Sequence, residues 1–252
     1  MKKDNRGYSP TLAWMTDRPE NIQVNNGTLV MTARLEKFNN KLFTSAEIVS
    51  RQFFKHGRYE IRAALPKGSM LNAAISLFPI FSIDEGISLL NYYQSGYIHF
   101  GIKRVNGVPA YYQQPTTYQY RSTFQQRSNY SNYYQQQATQ FSWLDHSIAD
   151  GSFNIYAVEW SNKSIMWKIN GNLIQEYNLL PSDNNKILLN QGYFLRLILN
   201  VGGTNFGYKV MDLSDLATWE RPQLKIDFIR VYDLEEESDQ TVRSDQTVRS
   251  DQ

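Results

Sequence analysis

The segment Asp84-Glu85-Gly86-Ile87-Ser88-Leu89-Leu90-Asn91 gathers the side chains whose types come nearest to bond-breaking chemistry, and most of them stop short of it. Hydrolysis by paired carboxylates needs one group to attack and a second to exchange a proton. Asp84 and Glu85 are carboxylates, but the next six residues hold none. Gly86 has no side chain to act as a nucleophile. Ser88 and Asn91 hydrogen-bond without doing acid–base work near neutral pH. The three histidines, His56, His99 and His146, are scattered. Such spacing does not make a zinc ligand set. His56 and His146 read as solvated loop residues. Arg121 and Arg127 are interleaved with tyrosines, but two arginines in some 30 residues make a poor phosphate track. That argues against nucleic acid.

The elements that must hold these residues are strands. Residues 153–160, FNIYAVEW, are apolar on both faces, as a strand reads inside two packed sheets. The runs SIMWKI (164–169) and Asn172-Leu173-Ile174 flank Asn170-Gly171, a strong hairpin signal. Further strands are YFLRLILNV (193–201), ending at Gly202-Gly203, and LKIDFIRVY (224–232). One short helix is expected near 212–218, DLSDLAT. Trp160 and Trp167 belong on inner strands, in the core. Arg58 and Glu60, two apart on one strand face, read as a rim ion pair. The fold class is all-β, an antiparallel sandwich of two sheets. Residues 111–140, dense in Tyr and Gln with few aliphatics, read as a long loop between strands. The tail repeats Ser-Asp-Gln-Thr-Val-Arg at 238–243 and 244–249 and reads as disordered or used for contacts. The organisation expected is an N-terminal extension (1–19), one domain (20–233) and the polar tail (234–252).

The chain of 252 residues is 41% hydrophobic, enough for a sizeable core. It has no apolar run of the ~18 residues a membrane helix needs. MKKDNRGYSP lacks an apolar stretch and is no signal peptide as it stands. The absence of cysteine excludes disulfides. Sequons at Asn26, Asn129 and Asn162 permit glycosylation and give weak support for secretion. A net charge of +2 points to no electrostatic partner. Seventeen tyrosines suit strands and also sugar-stacking surfaces.

An ordered series of segments resembles the laminarinase-like members of glycoside hydrolase family 16 and the invertebrate β-1,3-glucan-binding proteins built on the same domain. Asn21 to Val24 with Gly27 to Ala33 is similar to the family's opening strand pair. FFKHGRYEIRAALPKG (53–68) resembles "YGRFEARAKLPKG", and Leu71 to Pro79 stands in the place of "LWPAFWLLP". Ser95 to Gly101 resembles "GTLHYG", residues 152–174 resemble "DFHVYAVEWTPDKITWYVDGKLV", and Phe194 to Gly203 resembles "FYLILNLAVGG". Ile226 to Tyr232 resembles the closing "VDYVRVY". The resemblance spans residues 20–232 and implies a concanavalin-like jelly roll with a concave glycan cleft.

It also carries expectations residue by residue. The family's Glu-x-Asp-x-x-Glu falls on Gly86, Ser88 and Asn91, so the resemblance implies that the catalytic carboxylates are lost and that the chain is not an enzyme. A register placing Glu85 first leaves Ile87 and Leu90 at the other acidic positions. The two cleft tryptophans of "LWPAFWLLP" fall on Asn72 and Ser76. Tyr92 and Tyr93 are candidates to replace them, His99 matches a cleft histidine, and Trp143 is a candidate platform or packing residue. Asp227 matches a position that helps hold a structural calcium in several relatives, and no other cofactor is implied. The reading favoured by sequence is a secreted, non-catalytic β-glucan-recognition protein like those of invertebrate immunity. The alternative is an extracellular structural protein with a vestigial cleft, self-associating through the Tyr/Gln segment and the tail. No membrane partner is expected.

Overall fold

A computed structural model describes residues 11–79, 97–105, 117–127, 134–144, 151–178, 192–202 and 211–233. Two antiparallel sheets enclose one core. The first contains β2 (Ile22–Asn25), β3 (Thr28–Thr32), β7 (Gly57–Ala64), β12 (Phe153–Trp160), β13 (Ser164–Ile169), β14 (Asn172–Asn178) and β16 (Gln223–Tyr232). Its seven strands run in the order β14-β13-β12-β7-β16-β3-β2. The second contains β6 (Glu47–Phe54), β8 (Leu71–Pro79), β9 (Tyr97–Val105), β10 (Thr117–Arg127), β11 (Tyr134–Leu144) and β15 (Tyr193–Val201). Its six strands run β11-β10-β9-β8-β15-β6. A smaller sheet joins β1 (Ala13–Met15) in parallel to β5 (Lys41–Ser45), with β4 (Arg34–Phe38) antiparallel beyond it. Residues 11–15 thus enter the fold, and the Thr11 hydroxyl donates to the Val201 carbonyl while accepting from its amide.

Alternation sets the core. Tyr59, Ile61 and Ala63 of β7, Tyr156, Val158 and Trp160 of β12, and Leu224 and Ile226 of β16 meet Leu71, Ala73 and Leu77 of β8 and the odd-numbered residues of β15. Trp160 lies edge-on to Tyr193 with centroids 4.7 Å apart, and both Trp160 and Trp167 are fully buried, as expected. Asn170 and Gly171 both have positive φ (50° and 82°), the pair of conformations a two-residue turn of the primed type needs. Asn26-Gly27 repeats this between β2 and β3. The short helix is α1 (Leu213–Ala217), begun by an Asp212–Asp215 capping box.

The Tyr/Gln-rich segment differs from expectation. Residues 117–127 and 134–144 are not loop but β10 and β11, an eleven-residue antiparallel pair laid against β9. Tyr, Thr and Phe at alternate positions favour extended backbone, and low aliphatic content hid that period. His56 also differs from the solvated reading: it is half-buried and edge-on to Trp160, 4.9 Å between centroids.

Candidate functional site

The outward face of the six-stranded sheet is where the sequence-derived candidates converge. On β8 the odd-numbered residues enter the core, which leaves Asn72, Ala74 and Ser76 on the other face. On β15 the same logic leaves Phe194, Arg196, Ile198 and Asn200. Register then extends the rows across the sheet. One row reads Asn200, Asn72, Lys103, Gln119, Trp143. The next reads Ile198, Ala74, Gly101, Arg121, Phe141. A third reads Arg196, Ser76, His99, Thr123, Thr139. Asn72, Ser76, His99 and Trp143 therefore share one face. Ser76 and His99 are direct neighbours, and Asn72 and Trp143 stand three strand spacings apart, about 14 Å.

The centre of this face is closed. Asn72, Ala74, Ser76, Ile198 and Asn200 are each no more than 5% exposed. Asn72 and Asn200 are cross-strand partners, and the side-chain oxygen of each is buried with no hydrogen-bond donor. A buried amide oxygen left unpaired costs about 1–3 kcal/mol, so the pair is a standing demand for donors. Beside it, Arg196 grips Glu47 of β6 with two bonds, Nε–Oε1 2.5 Å and Nη2–Oε2 2.7 Å. The β6 margin is open: Val49 is 45% and Phe53 57% exposed. Sequence reasoning missed Phe53, Phe194, Arg196 and Asn200. The signal for the last two was present, because they are the polar interruptions of YFLRLILNV and stand four apart, on one strand face.

Other candidates fall elsewhere. Gly86, Ser88, Asn91, Tyr92, Tyr93 and His146 lie outside the described residues. Asp227 belongs to the seven-stranded sheet and its carboxylate pairs with the Arg62 guanidinium. Among the described residues no cluster of three or more His, Cys, Asp or Glu side chains is placed to hold a metal. Arg58 and Glu60 are more than a rim pair. Glu60 and Glu159 are both buried on the outward side of the seven-stranded sheet, with Arg58 bridging them and Lys168 2.6 Å from Glu159. The hydrogen bonds that Arg58 donates to Glu60 foremost raise the Arg58 pKa, holding the guanidinium charged. Two carboxylates paired with two cations make a structural cluster.

Comparison with known proteins identifies the fold. No protein-family model matches the chain. The crystal structure of the LamA catalytic domain from Zobellia galactanivorans superposes with a TM-score of 0.70 at 23% identity, over 92% of this chain and 88% of that one. A non-specific endo-β-1,3(4)-glucanase from family GH16, crystallised with a glucan oligosaccharide at its active site, superposes at 0.68 and 20% identity, over 92% and 84%. This is the laminarinase-like fold of glycoside hydrolase family 16. In sequence, the chain is 24% identical to the clotting factor G alpha subunit of Tachypleus tridentatus over 85% of its own length. It spans only 28% of that relative. It is 23% identical to a glucan endo-1,3-beta-glucosidase of Cryptopygus antarcticus, covering 89% of this chain and 81% of the relative. It is 25% identical to a beta-glucanase of Rhodothermus marinus, covering 85% and 71%.

These relatives correct one expectation. The reading of the chain as a non-enzyme does not stand against glucanases that match across most of its length. That reading rested on two alignment registers, one through Gly86, Ser88 and Asn91 and one through Glu85, Ile87 and Leu90, and all six positions lie outside the described residues. Loss of the catalytic carboxylates is therefore not established.

Proposed function

We propose that this laminarinase-like chain binds β-1,3-glucan on the outward face of its six-stranded sheet, and that it does so outside the cell. The observation that carries the reading is the convergence of Asn72, Ser76, His99 and Trp143, drawn from three strands, onto one face with Asn200 and Arg196. Register rows that bring amide, hydroxyl, imidazole and aromatic residues to one sheet face supply the residue types a saccharide site uses. The names of the curated relatives, a glucan endo-1,3-beta-glucosidase and a beta-glucanase, support the substrate class. The test is calorimetric titration of the intact chain with laminarin, with reducing ends measured in the same samples. Saturable binding is the expected result, and release of reducing ends would show that bound glucan is also cut. Absence of binding to laminarin overturns the proposal.

A second reading, self-assembly, rests on β11. Among the described residues it is a terminal strand of its sheet, and YQQQATQFSWL contains no charge, proline or glycine to blunt the edge. Two neutral copies meet without repulsion, and strands of this composition pair readily. Size-exclusion chromatography with light scattering tests it: Gln136→Lys with Thr139→Lys should turn a dimer into a monomer, and a monomeric parent chain overturns the reading.

A further inference from the structure

We infer that Phe53 and Phe194 form an aromatic platform at the β6 margin on which a sugar ring stacks, a subsite of the glucan face proposed above and dependent on that reading. Phe53 is the more exposed of the two, 57% open to solvent. Its position is built. The β6–β15 register jumps between Phe194 and Arg196, so that residues 50–52 bulge out of the edge opposite Leu195. The bulge is fixed by the Ser50 hydroxyl, which accepts from the Leu195 amide at 3.0 Å and donates to the Gln52 carbonyl at 2.6 Å. Bulges of this kind re-aim the side chain that follows them. Phe53 comes to rest edge-on to Phe194, centroids 5.7 Å apart at 82°. A Cβ added at Gly192 would lie 2.9 Å from the Phe53 ring, so the glycine leaves room for it.

The chemistry around the pair selects its occupant. Phe194 and Arg196 are two apart on one face, which puts the charged Arg196–Glu47 pair about 7 Å from the ring along the strand. Beyond it on the same strand lies Asn200, whose buried oxygen lacks a donor. An apolar protein surface would satisfy the rings and leave the ion pair and amides facing carbon. A pyranose offers both things at once, a C–H face for an aromatic ring and a rim of hydroxyls for carboxylate, guanidinium and amide. The occupant is therefore a hexose unit of the glucan at the end of the chain's path over β6.

The test is laminarin titration of Phe53→Ala, Phe53→Leu and Phe53→Trp beside the unsubstituted protein, each first checked for an unchanged melting temperature. Phe53→Leu preserves apolar packing on Gly192 and Phe194 while removing the ring, so it separates stacking from folding. The expected result is affinity lowered about tenfold in the Ala and Leu variants and retained or raised in Trp. Unchanged affinity in Ala and Leu overturns the platform while leaving the glucan reading intact. No laminarin binding by the parent chain overturns both.

Discussion

Two buried asparagines show how differently one side chain can be employed. Asn21 is fully buried and saturated: its oxygen accepts from Thr16 Oγ1 at 2.6 Å and Arg18 Nη2 at 3.1 Å, and its nitrogen donates to the Thr32 carbonyl at 3.0 Å and Thr44 Oγ1 at 2.9 Å. Asn200 is 4% exposed and its oxygen has no donor. Removing Asn21 strands several partners at once, so Asn21→Ala should cost about 3 kcal/mol. Asn200→Ala removes an unpaired acceptor and leaves a small void, two opposed effects that bring the change within about 1 kcal/mol of zero. Urea unfolding of the two variants checks this, and equal losses would mean that Asn200 is held as Asn21 is. If Asn200 serves the ligand, its alanine variant should keep stability and lose laminarin affinity, the pattern of a residue retained for function at the expense of the fold. Neither role is visible in the sequence, where both are asparagines beside apolar runs. The distinction arises only when β15 is laid against β8 and the two amides become neighbours without donors.

Local chemistry made many elements legible. Asn170-Gly171 announced its turn, DLSDLAT announced α1, and the doubly apolar FNIYAVEW announced a strand between two covered faces. What failed was composition used in place of period: Tyr/Gln richness suggested a loop, yet Thr117 to Gln125 pairs residue by residue with β9. The rows that bring Trp143 to the face of Asn72 depend on that pairing and were out of reach of any local signal. The geometry of this pair also makes an excision testable. Arg104 of β9 and Leu144 of β11 both stand opposite Tyr118, so they lie two strand spacings apart, about 10 Å. A linker of four residues spans that gap. Replacing 106–143 by such a linker should leave a cooperative melt, because the core cluster among the described residues is built from the strands that remain. A non-cooperative melt would mean that β10 and β11 are needed to close the six-stranded sheet.

At the scale of the molecule, the sandwich is locked where its two sheets meet around Tyr59 and Tyr193. Tyr59 donates its hydroxyl to the Lys55 carbonyl, and Tyr193 lies against Trp160. Burial pushes both phenols well above the ordinary tyrosine range, with the Asp233 charge adding to the effect at Tyr59. The sign of the consequence is fixed by linkage. Below about pH 10 the folded and unfolded chains both keep these protons, and the stabilisation is fully present. Above that pH the unfolded tyrosines ionise while the folded ones cannot, so stability falls as pH rises, by up to about 1.4 kcal/mol per pH unit for each phenol. Urea midpoints should therefore be flat from pH 8 to 9.5 and drop steeply by pH 11. Tyr59→Phe lowers the plateau through the lost bond to Lys55, but it should reduce the alkaline slope by about half of what the pair contributes. An unchanged slope in that variant would assign the alkaline loss to other groups. The same measurement made with laminarin present separates the layers of the molecule: a ligand on the outward face raises the whole curve by mass action without altering its slope, because the phenols face inward and the glucan does not touch them.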